Sequence, residues 1–372
     1  MSAHDDETPV TTARLPGIDV ARALAVFGMV LVNFRGKMQA YHDGWPALVW
    51  LGDRIEGKAG ALFVVLAGVA VTLRSHAGLD FEALRLERRA LLERATILLG
   101  LGLLLMHLWK WDILHFYGVY LVLAIPLLRA ATWVLWSLAV AMVLGALLLF
   151  HQLDFAAHPS LWTLDGALRH VFFNGVHPVF PWFAFLLVGM AIGRLPLGDD
   201  GLRRRVLATA VAVLVLAEGV DALARWDQST GVLGLGELAQ WLRTWPRAPR
   251  PFFVFSGASL AVTVICVCIE IARRRPHHRW VIELVATGQM AFTLYVAHVL
   301  AILVPIDHGL LRGQPIEFAL AYGLAFYAGA IGFSVWWRRR WEYGPLEGLI
   351  RQVTGRTQPG PWGGGRLRER SR

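Results

Sequence analysis

Charge is scarce in this sequence. Only 17% of its 372 residues are Asp, Glu, Lys or Arg, whereas soluble domains carry about 25%, so a water-soluble globular fold is excluded. Lysine is nearly absent, with Lys37, Lys58 and Lys110 the three examples, and positive charge is almost entirely arginine. The two cysteines, Cys266 and Cys268, stand two apart in one apolar run. Residues at that spacing do not share a helix face, so they read as small core residues, and neither a disulfide, a metal pair nor cysteine catalysis is indicated. Asparagine occurs only as Asn33 and Asn174, which makes both worth explaining. No phosphate-cradling G-x-x-x-x-G-K-[ST] and no G-x-S-x-G nucleophile motif is present, and the glycines at 100 and 102 lie inside an apolar run without dinucleotide-fold context.

What is abundant is hydrocarbon. The chain is 56% hydrophobic with a mean hydropathy of +0.50, and ten apolar runs are long enough to span a bilayer: 17–34, 56–74, 89–108, 113–129, 131–150, 178–194, 203–223, 251–272, 285–305 and 316–337. The expected fold is all-α, a polytopic membrane bundle of about ten transmembrane helices. Residues 1–13 are polar and acidic, unlike a signal peptide, and are expected to be a disordered tail before a membrane domain over 14–341. Arginines concentrate in alternate connections, at 74–94, 194–205, 273–279 and 338–372, so the positive-inside rule puts both termini in the cytoplasm. That arrangement accounts for the net charge of +9 without nucleic acid. Pro345 is positioned to open an amphipathic cytoplasmic helix within 342–356, and 357–372 reads as a disordered basic tail.

This orientation sorts the histidines. His42, His107, His115, His151, His158, His170, His177 and His308 fall outside, His298 in the outer half of span nine, and His4, His76, His277 and His278 inside. Outer loops tolerate histidine, yet the skew shows where titratable chemistry could sit. The threshold of span six gathers Asn174, Gly175, His177, Pro178 and Pro181, and its helix N-terminus points outward, favourable to developing negative charge. The alternative there is a well-capped helix anchored by Trp182 at the headgroups. In the first outer loop His42 lies near Asp43, Asp53 and Glu56, a pattern compatible with an oriented base or a solvated loop. Asp112 precedes His115 by three residues and reads as an N-cap or an imidazole partner. Asp19 and Arg22, also three apart, should form an ion pair facing the bundle, and Gly189 and Gly193 a packing face.

Several stretches carry a family resemblance: GIDVARALAVFGMVLVN (17–33), ALFVVLAGVAVTL (61–73), DILHFYGVYLVLAIPLL (112–128), FFNGVHPVFPWFAFLLVGMAIGR (172–194), ATGQMAFTLYVAHVL (286–300) and YGPLEGLIRQVTG (343–355). Through them the chain resembles the bacterial DUF418 membrane proteins and the heparan-alpha-glucosaminide N-acetyltransferase-like family. The resemblance implies a transmembrane acyltransferase, carrying acetyl groups from cytoplasmic acetyl-CoA to an amino sugar across the membrane. It also implies a catalytic histidine in a His-x-x-Trp context of the first outer loop, followed by an Asp. His42, Trp45 and Asp53 are similar to that pattern, with Pro46 and Ala47 where Asn-Gly is expected, while an Asn-Gly stands at Asn174-Gly175.

The expected function is therefore acyl transfer in the inner membrane of a bacterium. His42, oriented by Asp53 or Asp112, would deprotonate the acceptor, and Asn174 with the span-six threshold at His177 would stabilise the oxyanion. Arg22, Arg74, Arg88 and Arg89 would draw in the phosphates of an acyl-CoA, with no metal required. Expected partners are membrane lipids, acyl-CoA and an extracytoplasmic sugar or glycan; a homodimer is compatible and nucleic acid is not expected. A transporter or lipid-handling protein on the same scaffold stays open as the alternative.

Overall fold

The computed structural model describes residues 15–75, 80–154, 157, 160–246, 250–306 and 311–354; the expected tails at 1–13 and 357–372 lie outside them. Among the described residues the chain is helical throughout, with no strand. The helices are α1 (Pro16–Lys37), α2 (Pro46–Ile55), α3 (Lys58–Ser75), α4 (Phe81–Leu108), α5 (Leu114–Ala124), α6 (Thr132–Gln152), α7 (Leu164–Arg169), α8 (Val179–Ile192), α9 (Asp200–Thr230), α10 (Leu238–Trp241), α11 (Pro251–Arg274), α12 (Arg279–Gly288), α13 (Ala291–Ile306), α14 (Ile316–Arg338) and α15 (Pro345–Val353).

Among the described residues seven helical spans are long and apolar enough to cross a membrane, α2 and α3 together forming one of them, and nine qualify if two bent pairs each count as a span. One bent pair is α7 and its π-helical extension His170–Asn174 with α8, turned by 50°; the other is α12 with α13, turned by 75°. The tenth expected segment is α5, 11 residues long before a three-residue 3-10 turn carrying Pro126. Proline there removes a backbone donor and ends the α-helical ladder.

Helix ends follow elementary capping chemistry. α1 starts with Pro16, carries Asp19 in its first turn and Arg35 and Lys37 in its last, each matched to the helix dipole. Asp80 and Asp199 cap α4 and α9, accepting from Ala83 N and Leu202 N at 2.7 Å. Gly231, at φ 69°, ends α9 in the left-handed conformation.

Burial sorts the helices into two layers. α1, α3, α8 and α11 form the centre, and nearly every residue of α8 is buried. α4, α6, α9 and α14 surround them and expose Leu104, Leu148, Val215 and Leu324 outward, as lipid contact demands. With hydrocarbon outside, helix association depends on close packing rather than on expelling water. α3 and α8 accordingly meet through glycines. A Cβ on Gly68 would stand 2.1 Å from Leu186 O, and one on Gly189 2.0 Å from Val65 O. Gly189 and Gly193 thus belong to a packing face, and Cys266 and Cys268 are buried with free thiols.

α1 begins, and α11 and α14 end, at one end of the bundle, which carries Arg273–Arg275 and Arg338–Arg340. It is called the arginine-rich end below.

Candidate functional site

Three features bear on chemistry: a cavity opening at the arginine-rich end, a polar cluster buried behind it, and a second cavity at the opposite end.

The first cavity has a volume of about 250 Å³. It is lined by Arg22 of α1, Arg94 of α4, Arg338 at the end of α14 and Arg351 of α15, by the carboxylates of Asp19, Glu342 and Glu347, and by Phe63 and Leu66 of α3, Leu98 of α4, and Leu114 and Tyr117 of α5. The Asp19–Arg22 pair forms at 2.6 Å and faces this space. Gln289, in the break between α12 and α13, links the pair to α14: its amide donates to Asp19 Oδ2 at 3.4 Å and its oxygen accepts from Arg338 Nε at 3.0 Å. The Arg351 guanidinium stacks on Tyr343, 4.3 Å from the ring centre. Arg94 follows Ala90 and precedes Leu98 at four-residue steps on one helix face, and all three line the cavity. Arg88 and Arg89 lie off that face and are exposed, Arg89 pairing with Glu93 at 2.9 Å. Of the four arginines expected to meet acyl-CoA, the structure therefore puts Arg22 on the cavity and leaves Arg88 and Arg89 outside it. The Arg74 side chain lies outside the described residues.

Beside Leu114 of that lining, but not itself on the cavity, sits Asp112, fully buried. Its Oδ1 accepts from the Tyr295 hydroxyl at 2.8 Å, and its Oδ2 from Leu114 N at 2.8 Å. His115 Nδ1 lies 3.3 Å from Oδ2. Of the two sequence readings of Asp112, the imidazole partner is realised, and that imidazole belongs to His115 and not to His42; the N-cap of α5 is Ile113, and Asp112, one position earlier, accepts from the first-turn N–H of Leu114. His115 Nε2 is 3.0 Å from His170 Nε2. Phe116 packs against His115, His170 and His177, which explains why the span-six threshold is polar: it walls this cluster. Gly175 is required there, because a Cβ would stand 2.3 Å from His170 O. His177 packs edge-on against Trp182, ring centres 4.5 Å apart, and its carbonyl accepts from the Tyr120 hydroxyl at 2.5 Å. The Asn174 amide donates to Ala157 O at 2.5 Å. Asn33 reaches His298, Nδ2 to Nε2 2.9 Å, and so ties α1 to α13.

The opposite cavity, about 530 Å³, is lined by Tyr41, His42, Asp53, Glu56, Asp221 and Trp245 among others. His42 and Asp53 are thus brought to one space, but the carboxylate is held by Arg35, whose Nη2 lies 2.5 Å from Asp53 Oδ1 and Nη1 3.4 Å from Glu56. Arg35 is buried, donates to Ala40 O at 3.3 Å and stacks on Tyr41. Arg54 and Lys58 bind Glu218 and Asp221 of α9, and Arg243 also reaches Asp221 at 3.0 Å. Asn174 and His177 lie with the buried cluster, apart from His42.

Sequence reasoning missed the His115–His170 pairing and the places of Arg94, Arg338 and Arg351. The first joins residues 55 apart and left no local signal; the second required knowing which helix faces meet.

The family description "Heparan-alpha-glucosaminide N-acetyltransferase, catalytic" matches residues 14–226, and "Protein of unknown function (DUF418)" matches 203–357. No curated protein matches the chain. The first match takes in more than half of the chain, including His42, Asp53, Asp112, His115 and His170. The chain belongs to the heparan-alpha-glucosaminide N-acetyltransferase catalytic family, a membership that gives this multi-pass helical protein a transmembrane acetyltransferase-like role.

Proposed function

We propose that the chain transfers an acetyl group from an acyl-CoA, bound at the arginine-rich end, to an amino sugar or glycan presented at the opposite end. The arginine-rich end faces the cytoplasm and the protein resides in the bacterial inner membrane. The observation that carries this reading is the lining of the first cavity, which joins four arginines, Arg22, Arg94, Arg338 and Arg351, to an apolar stretch formed by Phe63, Leu66, Leu98 and Leu114. Arginines suit phosphate and pyrophosphate oxygens, and an apolar throat suits a pantetheine arm with its thioester.

The opposite cavity suits a hydroxylated, amine-bearing acceptor. Asp53, half exposed while paired with Arg35, binds the acceptor's amine, and the aromatic faces of Tyr41 and Trp245 flank a sugar ring. His42, exposed on the same cavity, takes the acceptor's proton as the acceptor attacks the thioester carbon, which the pantetheine arm must first carry from the throat into this cavity. His177 and Asn174 act from the wall of the buried cluster. The Asn174 amide is engaged by Ala157 O, so its part is to hold the threshold in shape rather than to bind an oxyanion directly.

The test is transfer across a sealed membrane. Protein reconstituted in liposomes receives acetyl-CoA labelled in the acetyl group on one face and glucosamine or short glycans on the other. Label should appear on the acceptor, and His42→Ala should lower turnover by about 100-fold or more. Label that stays on CoA with every acceptor would sink the reading.

A further inference from the structure

The cavity that holds His42 has a further wall, and the charges behind it do not balance. Asp221 of α9, buried, is shared by Arg54 Nη1 at 2.8 Å, Arg225 Nη1 at 2.9 Å and Arg243 Nε at 3.0 Å. Glu218, three residues earlier, accepts from Lys58 Nζ at 2.5 Å, Ser256 Oγ at 2.5 Å and Arg54 Nη1 at 3.2 Å. Among the described residues, four cations thus meet two carboxylates. Arginine does not lose its proton in a protein, so positive charge is in excess here even with Lys58 neutral. Like charges gathered in a poorly solvated wall repel one another, and the excess is costly unless an anion sits against it.

We propose that this wall binds the phosphate of a ligand whose amine is held by Asp53 in the same cavity, so that the acceptor is an amine carrying a phosphate group. Arg54, Arg243 and Asp221 line the cavity together with Asp53 and His42. Both guanidiniums keep unused donors. Arg54 serves its two carboxylates through Nη1 alone, and its Nε is buried without a partner. Arg243 gives Nε to Asp221 and Nη1 to Gln228 at 2.8 Å, which leaves Nη2. Two planar forks with spare N–H groups suit the several oxygens of one phosphate, and its negative charge offsets the excess.

Helix anchoring accounts for only part of this arrangement. Arg54, Lys58 and Arg243 tie α2, α3 and the segment after α10 to α9. Arg225 stands on α9 itself, four residues from Asp221; it joins no second element and adds charge to a carboxylate already paired. Arg243 is also steadied from the cavity side, its guanidinium 5.9 Å from the ring centre of Trp245.

A phosphate-bearing amine reaches this place from two sources. α2, which supplies Asp53 and Arg54, also exposes Trp50 and Leu51, and Trp245 on the cavity is half exposed. Tryptophans of this kind sit at headgroup level, where a phosphoethanolamine lipid presents amine and phosphate together. An amino-sugar phosphate presents the same two groups from water.

As a statement about the acceptor this rests on the acyl-transfer reading; as a binding site it does not. Full-length protein in phosphatidylcholine nanodiscs is titrated calorimetrically with two pairs of probes: glucosamine and glucosamine 6-phosphate, then ethanolamine and glycerophosphoethanolamine. In one pair the phosphorylated amine should bind about 10-fold or more tighter than its partner, by a margin that shrinks as salt is raised. Preference in the first pair identifies a sugar phosphate, and preference in the second a lipid headgroup. Arg54→Gln and Arg243→Gln should each bring the phosphorylated amine towards the affinity of its partner. In either variant Asp221 keeps two arginines and Glu218 keeps Lys58, so both should fold, with the melting temperature as the check. No preference in either pair, or folded variants that keep the full preference, overturns the site. Preferential binding without acetyl transfer to any of these amines keeps the site and sinks the acyl-transfer reading. Transfer that ignores the phosphate keeps acyl transfer and sinks the site.

Discussion

Thr293 and Glu347 are joined reciprocally. The Thr293 N–H donates to Glu347 Oε1 at 3.0 Å and its hydroxyl to Oε2 at 2.5 Å, while the Leu346 N–H donates back to the Thr293 hydroxyl at 3.1 Å. Phe292 N also donates to Oε1 at 2.9 Å. α15 thereby closes the N-terminus of α13, where unpaired N–H groups would otherwise face the arginine-lined cavity. Gly344 makes room for it, since a Cβ there would stand 2.2 Å from Glu347 Oε2.

Glu347→Ala should leave those donors unpaired and cost about 1–3 kcal/mol of α15 docking, seen as faster hydrogen exchange over 345–353. Burial pushes the Glu347 carboxyl above its ordinary 4.5, although the hydrogen bonds from Thr293 and Phe292 pull the other way. An acid whose folded value is raised contributes stability that is complete below the unfolded value and is lost as pH rises through the folded one. Exchange protection of α15 should therefore weaken as pH climbs above 4.5, and Glu347→Gln should remove that slope. Protection that strengthens with pH would reverse the assignment.

Arg35 organises the opposite cavity from behind. Truncation removes the guanidinium that pairs with Glu56 and half-exposed Asp53 and stacks on Tyr41. Arg35→Met should cost about 3 kcal/mol of stability and raise the apparent KM for the acceptor, with binding of CoA at the other end unchanged. A variant with wild-type stability and acceptor dependence would show the cavity to be organised by other contacts.

Small residues hold α3 to α8. The nearest atoms to a Cβ on Gly68 or Gly189 are backbone atoms, which cannot swing aside as a flexible side chain can. Gly68→Ala and Gly189→Ala should each cost about 2–3 kcal/mol. Gly100→Ala is the control: nothing lies within 4 Å of its Cβ, and it should cost nothing. Equal melting temperatures for Gly68→Ala and Gly100→Ala would contradict the packing described.

Hydropathy alone revealed most of the helices, because a span has no water to satisfy its backbone and must be long, apolar and helical. It also hinted at the break before α8, where Gly175, Pro178 and Pro181 interrupt the run. The 75° break between α12 and α13 was hidden: residues 285–305 read as one apolar run, and only the Thr287-Gly288-Gln289 trio marks the place where Gly288 packs on Asp19 O and Gln289 turns to Arg338. In the site, Asp112 and His115 are one helical step apart and were legible as a pair. The contact with His170 depends on how α5 meets the π-helical turn after α7, which no local pattern encodes. Arginine clusters announced an anion-attracting end, but helix phase decides that Arg94 faces the cavity while Arg88 and Arg89 face away.

The most direct measurement is the thermal stability of the purified protein against acetyl-CoA, CoA and 3′-dephospho-CoA, in wild type and in Arg94→Ala with Arg351→Ala. A ligand at about 100 times its Kd adds roughly 2.7 kcal/mol to the folded state. An acyl-CoA held in the arginine-lined cavity predicts saturable stabilisation of the wild type, less without the 3′-phosphate, and much less in the double variant. No stabilisation by any of the three, or equal stabilisation of wild type and variant, would contradict a donor bound in this cavity.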